Sequence, residues 1–364
     1  MPKSVDHHWM TVALDLAEKG SANVSPNPAV GACVVRNNQI VGRGYHKYFG
    51  GPHAEVEALR DAGRKAKGAT LYVTLEPCSS WGKTPPCAPE ILKAGIKRVV
   101  IGALDENPDN RLRGVKAMKK GGIKVMTGVL ASEVREQNAA FFKFIKTKMP
   151  YVTLKMAQSL DGKIATFQGK SRWITSASAR QFVHKLRLEQ DAILVGTNTL
   201  LKDNPMLSPR IRGSKRVREK PWRVILDPDL KASPHSRVFR GPQLTVVATS
   251  VRKVKSPGGK GKGQILLPVK EIRGRLDLKD LLKKLAGLDI AKILVEGGGE
   301  TAWSFLKSGL VDKIYWIIAP TLIGGRNAKT SVEGEGIRDL DKVFRFRKTG
   351  MAMAGPDFVF EGSF

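Results

Sequence analysis

Cysteine is scarce in this chain. Its 364 residues include three, Cys33, Cys78 and Cys87, too few and odd in number for a disulfide framework. That count fits a reducing compartment, with metal binding or catalysis for some of the thiols. Long apolar runs are also missing, and no stretch approaches the roughly 18 residues that a membrane-spanning helix needs. Met1 to Met10 contains Asp6, His7 and His8 but no apolar centre, so it does not read as a secretory signal. A cytoplasmic protein with no membrane partner is therefore expected. Negative charge is the third shortage: 33 Asp and Glu face 62 Lys and Arg, a formal net charge of +29. Such a balance favours nucleic acid, acidic lipid or phosphorylated small molecules as partners. The excess is spread along the chain, with 23 basic and 13 acidic residues in 1–150 and 39 and 20 in 151–364. A spread excess is a weaker sign of nucleic-acid binding than a concentrated stripe.

The remaining composition is that of an ordinary globular chain, 41% hydrophobic and 26% charged, and its length calls for two domains. Hydrophobic spacing predicts a helix over 7–19. Strands are expected at Val30–Arg36, Ile40–Gly44, Thr70–Thr74, Arg98–Ala103 and Lys124–Gly128, with helices at His53–Ala66, Pro89–Ala94 and Val115–Lys120. A short basic join, Ile145 to Pro150, leads into further strands at Tyr151–Ala157, Ala192–Gly196, Arg223–Asp227, Leu244–Ala248, Lys292–Glu296, Lys313–Ala319 and Asp357–Glu361. The alternation marks two α/β domains, 1–148 and 149–364. Two basic stretches, Arg210–Arg223 and Val251–Gly263, read as mobile loops.

The strongest local signal is His53-Ala54-Glu55 followed by Pro77-Cys78 and Cys87. One His and two Cys supply three zinc ligands and leave a fourth tetrahedral position to water, the catalytic arrangement. Glu55, two residues past the ligand His53, is placed to shuttle a proton from that water to a leaving amine. The H-x-E…P-C-x-x-C pattern is the signature of zinc nucleobase deaminases. Here eight residues, Ser79 to Pro86, separate the cysteines and insert a loop carrying Lys83 beside the metal. Cys33, in an apolar strand, reads as core.

The second half holds Lys155 to Ala165, Ser171-Arg172-Trp173, His184-Lys185-Leu186-Arg187, Gly196-Thr197-Asn198-Thr199, Asp203-Asn204-Pro205 and Val295-Glu296-Gly297-Gly298-Gly299. The last motif runs from an apolar strand through three glycines into a helix, Glu300–Lys307. Unpaired N–H groups at such a helix start form a phosphate or pyrophosphate cradle. It lacks the G-x-G-x-x-G spacing of a Rossmann unit.

Taken in order, these motifs resemble the bifunctional riboflavin-biosynthesis deaminase/reductase family. The N-terminal match lies in Pro26-Asn27-Pro28-Ala29-Val30-Gly31, Gly44-Tyr45-His46, His53-Ala54-Glu55, Thr74 to Ser79 and Gly82 to Cys87. The Thr-Pro-Pro-Cys element with its long cysteine spacing belongs to that branch. The resemblance implies a cytidine-deaminase-like α/β/α domain followed by a dihydrofolate-reductase-like α/β domain. It implies removal of the amino group of a phosphoribosylamino-diaminopyrimidinone, then reduction of its ribosyl chain by NADPH. In the deaminase it gives zinc to His53, Cys78 and Cys87, catalysis to Glu55, and substrate contact to Asn27, His46, Ala54 and Lys83. In the reductase it sets the cofactor against Ala157, Trp173, Thr199, Asp203, Gly298 and Gly299. The substrate falls to Ser171, Arg187, Leu207, Arg210 and Glu296, with Lys155 as proton donor. A homo-oligomer, dimer or tetramer, is implied. The chain departs from the family at Ser80 and Trp81, where a His usually follows the Cys-Ser pair; Trp81 offers ring stacking instead. Two alternatives remain. One is a nucleotide or transfer-RNA deaminase with an unrelated appended domain. The other is a basic nucleic-acid-binding protein on a degenerate enzyme scaffold.

Overall fold

The computed structural model describes residues 5–210, 221–254, 258 and 263–364. The chain divides into two compact units, Met1–Lys148 and Met149–Phe364.

In the first unit, helix α1 (Val5–Glu18) precedes the hairpin β1 (Gly31–Arg36) and β2 (Gln39–Tyr45). Then follow α2 (Ala54–Ala62), β3 (Thr70–Leu75), α3 (Cys87–Lys93), β4 (Arg98–Ala103), α4 (Arg113–Lys120) and β5 (Lys124–Thr127). The strands form one sheet in the order β2-β1-β3-β4-β5. β1 is antiparallel to β2 and β3, while β3, β4 and β5 are parallel. Strand alternation sends Ala32 and Val34 to a core shared with α2, α3 and α4, and Cys33 and Val35 to a core shared with α1. That is an α/β/α layering. Cys33 is fully buried, as expected of a core thiol. Two helices end the unit, α5 (Ala131–Gln137) and α6 (Ala139–Thr147); the sequence predicts no element there, and the expected join Ile145–Pro150 overlaps only the end of α6.

The second unit contains β6 (Tyr151–Ser159), α7 (Ala177–Leu188), β7 (Ala192–Gly196), α8 (Thr197–Asp203), β8 (Trp222–Leu226), β9 (Thr245–Ser250) and β10 (Gln264–Val269). A two-stranded ribbon, β11 (Glu271–Ile272) and β12 (Arg275–Leu276), leads to α9 (Leu278–Ala286). The unit closes with β13 (Lys292–Val295), α10 (Gly299–Lys307), β14 (Lys313–Ala319), β15 (Lys348–Ala354) and β16 (Asp357–Ser363). Nine strands form one sheet in the order β10-β9-β8-β7-β13-β6-β14-β16-β15. It is parallel from β10 to β14 and antiparallel at β16 and β15. Leu194, Val224 and Val246 pack with α9 and α10 on one face, and Ile193, Val195, Ile225 and Val247 with α7 and α8 residues on the other. β10 and β15 had no counterpart in the sequence reading. Most of the basic run after Arg210 and much of Val251–Gly263 lie outside the described residues, although Trp222 and Arg223 belong to β8.

Candidate active sites

Sheet topology gathers the first set of residues. Gly31 pairs with Tyr45, and Ala32 with Val73. The start of β1 and the ends of β2 and β3 therefore share one edge of the sheet. Asn27 precedes β1, His46 follows β2 and Cys78 follows β3, so all three come to that edge. His53 is the residue before α2, and Cys87 opens α3.

His53 Nδ1 lies 3.2 Å from Cys87 Sγ and 3.5 Å from Cys78 Sγ. The three ligand atoms are all within 4.8 Å of one another, and no other such group occurs among the described residues. Zinc bonds of about 2.0–2.1 Å to nitrogen and 2.3 Å to sulfur put tetrahedral N and S ligands roughly 3.5 Å apart, so the donor set fits that ion. His53 Nε2 is 3.1 Å from Thr84 Oγ1. Thr84 thus fixes the ring with Nδ1 toward the sulfurs, the usual way a metal-binding His is oriented. Hydrogen bonds from Cys87, and secondarily from His53, hold the Cys78 thiol well below its ordinary range, toward the thiolate that binds metal.

Glu55 sits in the first turn of α2 and is only 3% exposed. Burial pushes its carboxyl above the ordinary range, the tuning a proton shuttle needs. His46 is buried, and its Nδ1 lies 3.0 Å from the Pro52 carbonyl oxygen. That nitrogen must carry the hydrogen and donate it. Nε2 then accepts from Asn27 Nδ2 at 3.2 Å. Burial lowers the imidazole pKa and keeps the ring neutral. Asn27 therefore turns its amide nitrogen toward His46 and leaves its oxygen to accept from a ligand. Ala54, at the start of α2, is fully buried. Lys83 is exposed, with Nζ 3.7 Å from the Phe49 ring centroid. Trp81 is 77% exposed.

Several residues to which the sequence assigns no role support this edge. Asn138 accepts from Ala29 N at 2.8 Å and donates to Ala29 O at 3.0 Å, fixing the segment that carries Asn27. Buried Glu76 accepts from the backbone N–H groups of Asp105, Leu112 and Val115. Asn110 donates to Asp105 at 2.9 Å and accepts from Ser79 N at 3.0 Å. The segment Asp105-Glu106-Asn107-Pro108 thus braces the strand end that presents Cys78. A Cβ on Gly114 would lie 2.0 Å from the Pro77 carbonyl oxygen, so only glycine lets α4 approach the residue before Cys78.

In the second unit, Val295 pairs with both Leu154 and Leu194. One residue further along each strand, Glu296 stands beside Lys155. Its carboxylate is 3.3 Å from Lys155 Nζ and accepts from Arg187 Nε at 2.6 Å and Nη2 at 2.9 Å. Burial opposes its charge, but Arg187 and then Lys155 outweigh that and hold the carboxyl well below the usual range. Arg187 Nη1 also donates to Ser208 O. Three of its five N–H groups are therefore already used, and Arg210, exposed at the chain segment after α8, is the freer cation. Leu207 is 3% exposed and packs into the core with Leu186 of α7 and Leu200 of α8.

The starts of α8 and α10 follow adjacent parallel strands, and neither is capped by a side chain. A Cβ on Gly297 would meet Thr301 at 2.4 Å, and one on Gly299 would meet Thr330 O at 2.6 Å. Those two glycines serve tight packing. Gly298 faces room, with Thr199 Oγ1 3.9 Å from where its Cβ would be. Two helix starts at the carboxyl ends of neighbouring strands, with space between them, suit a pyrophosphate. Asp203 accepts from Ser171 Oγ at 3.4 Å and, through its carbonyl, from Arg172 at 2.7 Å. Trp173 is 69% exposed, and Arg180 lies over its ring at 4.4 Å. Ala157, half-buried on β6, lies opposite Ile317 of β14.

Residues 150–360 match the RibD C-terminal domain, and residues 3–103 match the cytidine and deoxycytidylate deaminase zinc-binding region. The chain belongs to the RibD family. It is 45% identical to the riboflavin biosynthesis protein RibD of Aquifex aeolicus, over 99% of this chain and 98% of that one. It is 38% identical to the Escherichia coli RibD over 97% of each chain. A solved Acinetobacter baumannii RibD, 34% identical, superposes with a TM-score of 0.87 over 99% of this chain and 98% of that one. A Thermotoga maritima diaminohydroxyphosphoribosylaminopyrimidine deaminase/5-amino-6-(5-phosphoribosylamino)uracil reductase, 36% identical, gives 0.85 over the same shares. RibD membership makes this chain a bifunctional deaminase/reductase of riboflavin biosynthesis, with a zinc-binding deaminase domain and an NADPH-dependent reductase domain. The expected cytidine-deaminase-like and dihydrofolate-reductase-like folds are those of RibD. The match over 150–360 removes the alternative of an unrelated appended domain.

Proposed function

We propose that residues 1–148 deaminate 2,5-diamino-6-(5-phosphoribosylamino)pyrimidin-4(3H)-one and that residues 149–364 reduce the ribosyl chain of the product to a ribitylamino phosphate. The observation that carries the first step is the convergence of His53 Nδ1 and the two thiols beside buried Glu55. Zinc bound there lowers the pKa of water toward neutrality, and NADPH in the second cleft supplies a hydride.

Glu55 takes the proton of the attacking water and delivers it to the departing amine. Asn27, held by His46 on a segment that Asn138 fixes at Ala29, accepts a hydrogen bond from the ring edge through its oxygen. Lys83 and Trp81 belong to the loop between the two cysteines; Ser80 follows the Cys-Ser pair where the family has His, and Trp81 beside it supplies a stacking face. In the second step Glu296 fixes the Lys155 ammonium, which donates the proton that balances hydride arrival at C1. Arg210 meets the phosphate, with Arg187 behind it. The cofactor lies along Ala157, Trp173, Thr199, Asp203, Gly298 and Gly299, and Ser171 and the Leu207 backbone face the substrate. Among the described residues no helix is long and apolar enough to cross a membrane, and we place the enzyme's work in the cytoplasm. The exposed Met351 and Met353 on edge strand β15 support assembly into a dimer or tetramer.

Lys155→Met tests the division of labour. Ammonia release should continue while NADPH oxidation stops and the deaminated phosphoribosylamino compound accumulates. Oxidation at the parental rate would refute the role given to Lys155.

A further inference from the structure

His184 stands within the reductase cluster. It lies one turn before Arg187 on α7. Four charged groups from four segments act on its ring: Arg187 of α7, Arg210 after α8, Lys155 of β6 and Glu296 after β13. Its Nδ1 is buried and has no hydrogen-bond partner. Protonating that nitrogen would bury an unsatisfied N–H among three cations, which is unfavourable on both counts. The ring is therefore neutral, with its hydrogen on Nε2. Burial, then Arg187 and Arg210, lower its pKa to about 4, in the same direction. The residue as a whole is only half-buried, which leaves Nε2–H to face outward.

We propose that His184 Nε2–H is an uncharged hydrogen-bond donor to the phosphate of the reductase substrate, working beside Arg210. This rests on the reading of Arg210 as a phosphate ligand. The cations attract the anion, and the fold keeps the imidazole neutral so that it adds a directional donor without adding repulsion to Arg187 and Lys155. A hydrogen bond to a charged group is worth roughly ten- to hundred-fold in affinity.

The test uses the full-length, NADPH-saturated enzyme and two substrates, the deaminated phosphoribosylamino compound and its dephosphorylated counterpart. His184→Leu should raise KM for the phosphorylated substrate about ten-fold or more, with kcat and the KM for NADPH changed less than about three-fold. The dephosphorylated substrate should show no such change. His184→Gln, whose side-chain nitrogen occupies the place of Nε2, should recover most of the loss, whereas His184→Asn, which mimics Nδ1, should not. An equal KM rise on both substrates, or rescue by Asn in place of Gln, would overturn the proposal. Arg210→Ala probes the underlying reading separately. If it leaves KM for the phosphorylated substrate unchanged while His184→Leu raises it, Arg210 is not the phosphate ligand and the donor role of His184 stands by itself.

Discussion

Replacing Glu296 by Gln removes one charge from a nearly closed group of three. The side chains of Glu296, Arg187 and Lys155 are 7%, 13% and 15% exposed. Water therefore cannot take over from the lost carboxylate, and two cations are left facing a neutral amide. Removing one partner from a buried ion pair costs about 3–5 kcal/mol. Gln keeps an acceptor oxygen, so the lower end, about 3 kcal/mol, is expected. For a unit of this size, at roughly 2–4 °C per kcal/mol, the melting temperature should fall by about 6–12 °C at pH 7. The pH dependence has a definite sign. The Glu296 carboxyl is held below its unfolded value, so its contribution is complete above the unfolded pKa of about 4.3 and fades as the solution is acidified below that. The gap between parent and variant should stay constant from about pH 5 to 8 and narrow in stronger acid. In an Arg187→Met background the same substitution should cost less, because the main partner is already gone. Calorimetric melts of the three variants measure all of this. A drop under about 2 °C at pH 7, or a gap that widens in acid, would show that Glu296 does not bind the two cations together.

Gly114→Ala should destabilise the first unit and cut ammonia release while NADPH oxidation by the same molecule persists, since the new methyl would press on the carbonyl just before Cys78. Asn138→Ala strands the Ala29 N–H and C=O and should lower stability by about 2–3 kcal/mol in denaturant titrations, with a raised KM for deamination. Asp6, held low chiefly by its hydrogen bonds from Arg98, contributes stability above the unfolded carboxylate range and loses it as pH falls. Asp6→Asn should therefore lower the melting temperature at pH 7 and make little difference near pH 3. Stripping zinc with a chelator should abolish ammonia release and leave NADPH oxidation intact, and added zinc should restore the lost activity.

The metal centre was legible because its ligands sit in short motifs at the ends of strongly periodic elements. His53-Ala54-Glu55 reads as a helix start, and Thr74 to Cys78 as a strand end. Asn138, which braces it, was not legible. Asn138 meets Ala29 across 109 positions, and nothing in its neighbourhood separates it from any polar residue between two helices. Those helices, α5 and α6, were missed because Ala131–Thr147 mixes charged and apolar residues without a clean stripe. β15 was missed because Lys348–Ala354 is rich in Gly, Ala and Met and its side chains are exposed, so packing leaves no alternation to read. In the reductase, motif order pointed to Glu296, Lys155 and Arg187, but only parallel register shows that Glu296 and Lys155 stand side by side. The setting of His184 was not legible, because the cations that surround it come from segments far apart in the chain.

Ammonia release by zinc-loaded protein in the absence of NADPH tests the central claim most directly. The account predicts that the phosphoribosylamino-diaminopyrimidinone is deaminated, that Glu55→Gln abolishes the release without loss of bound zinc, and that Trp81 does not prevent turnover. No ammonia from folded, zinc-containing protein would contradict it and leave the second unit to act on material deaminated elsewhere.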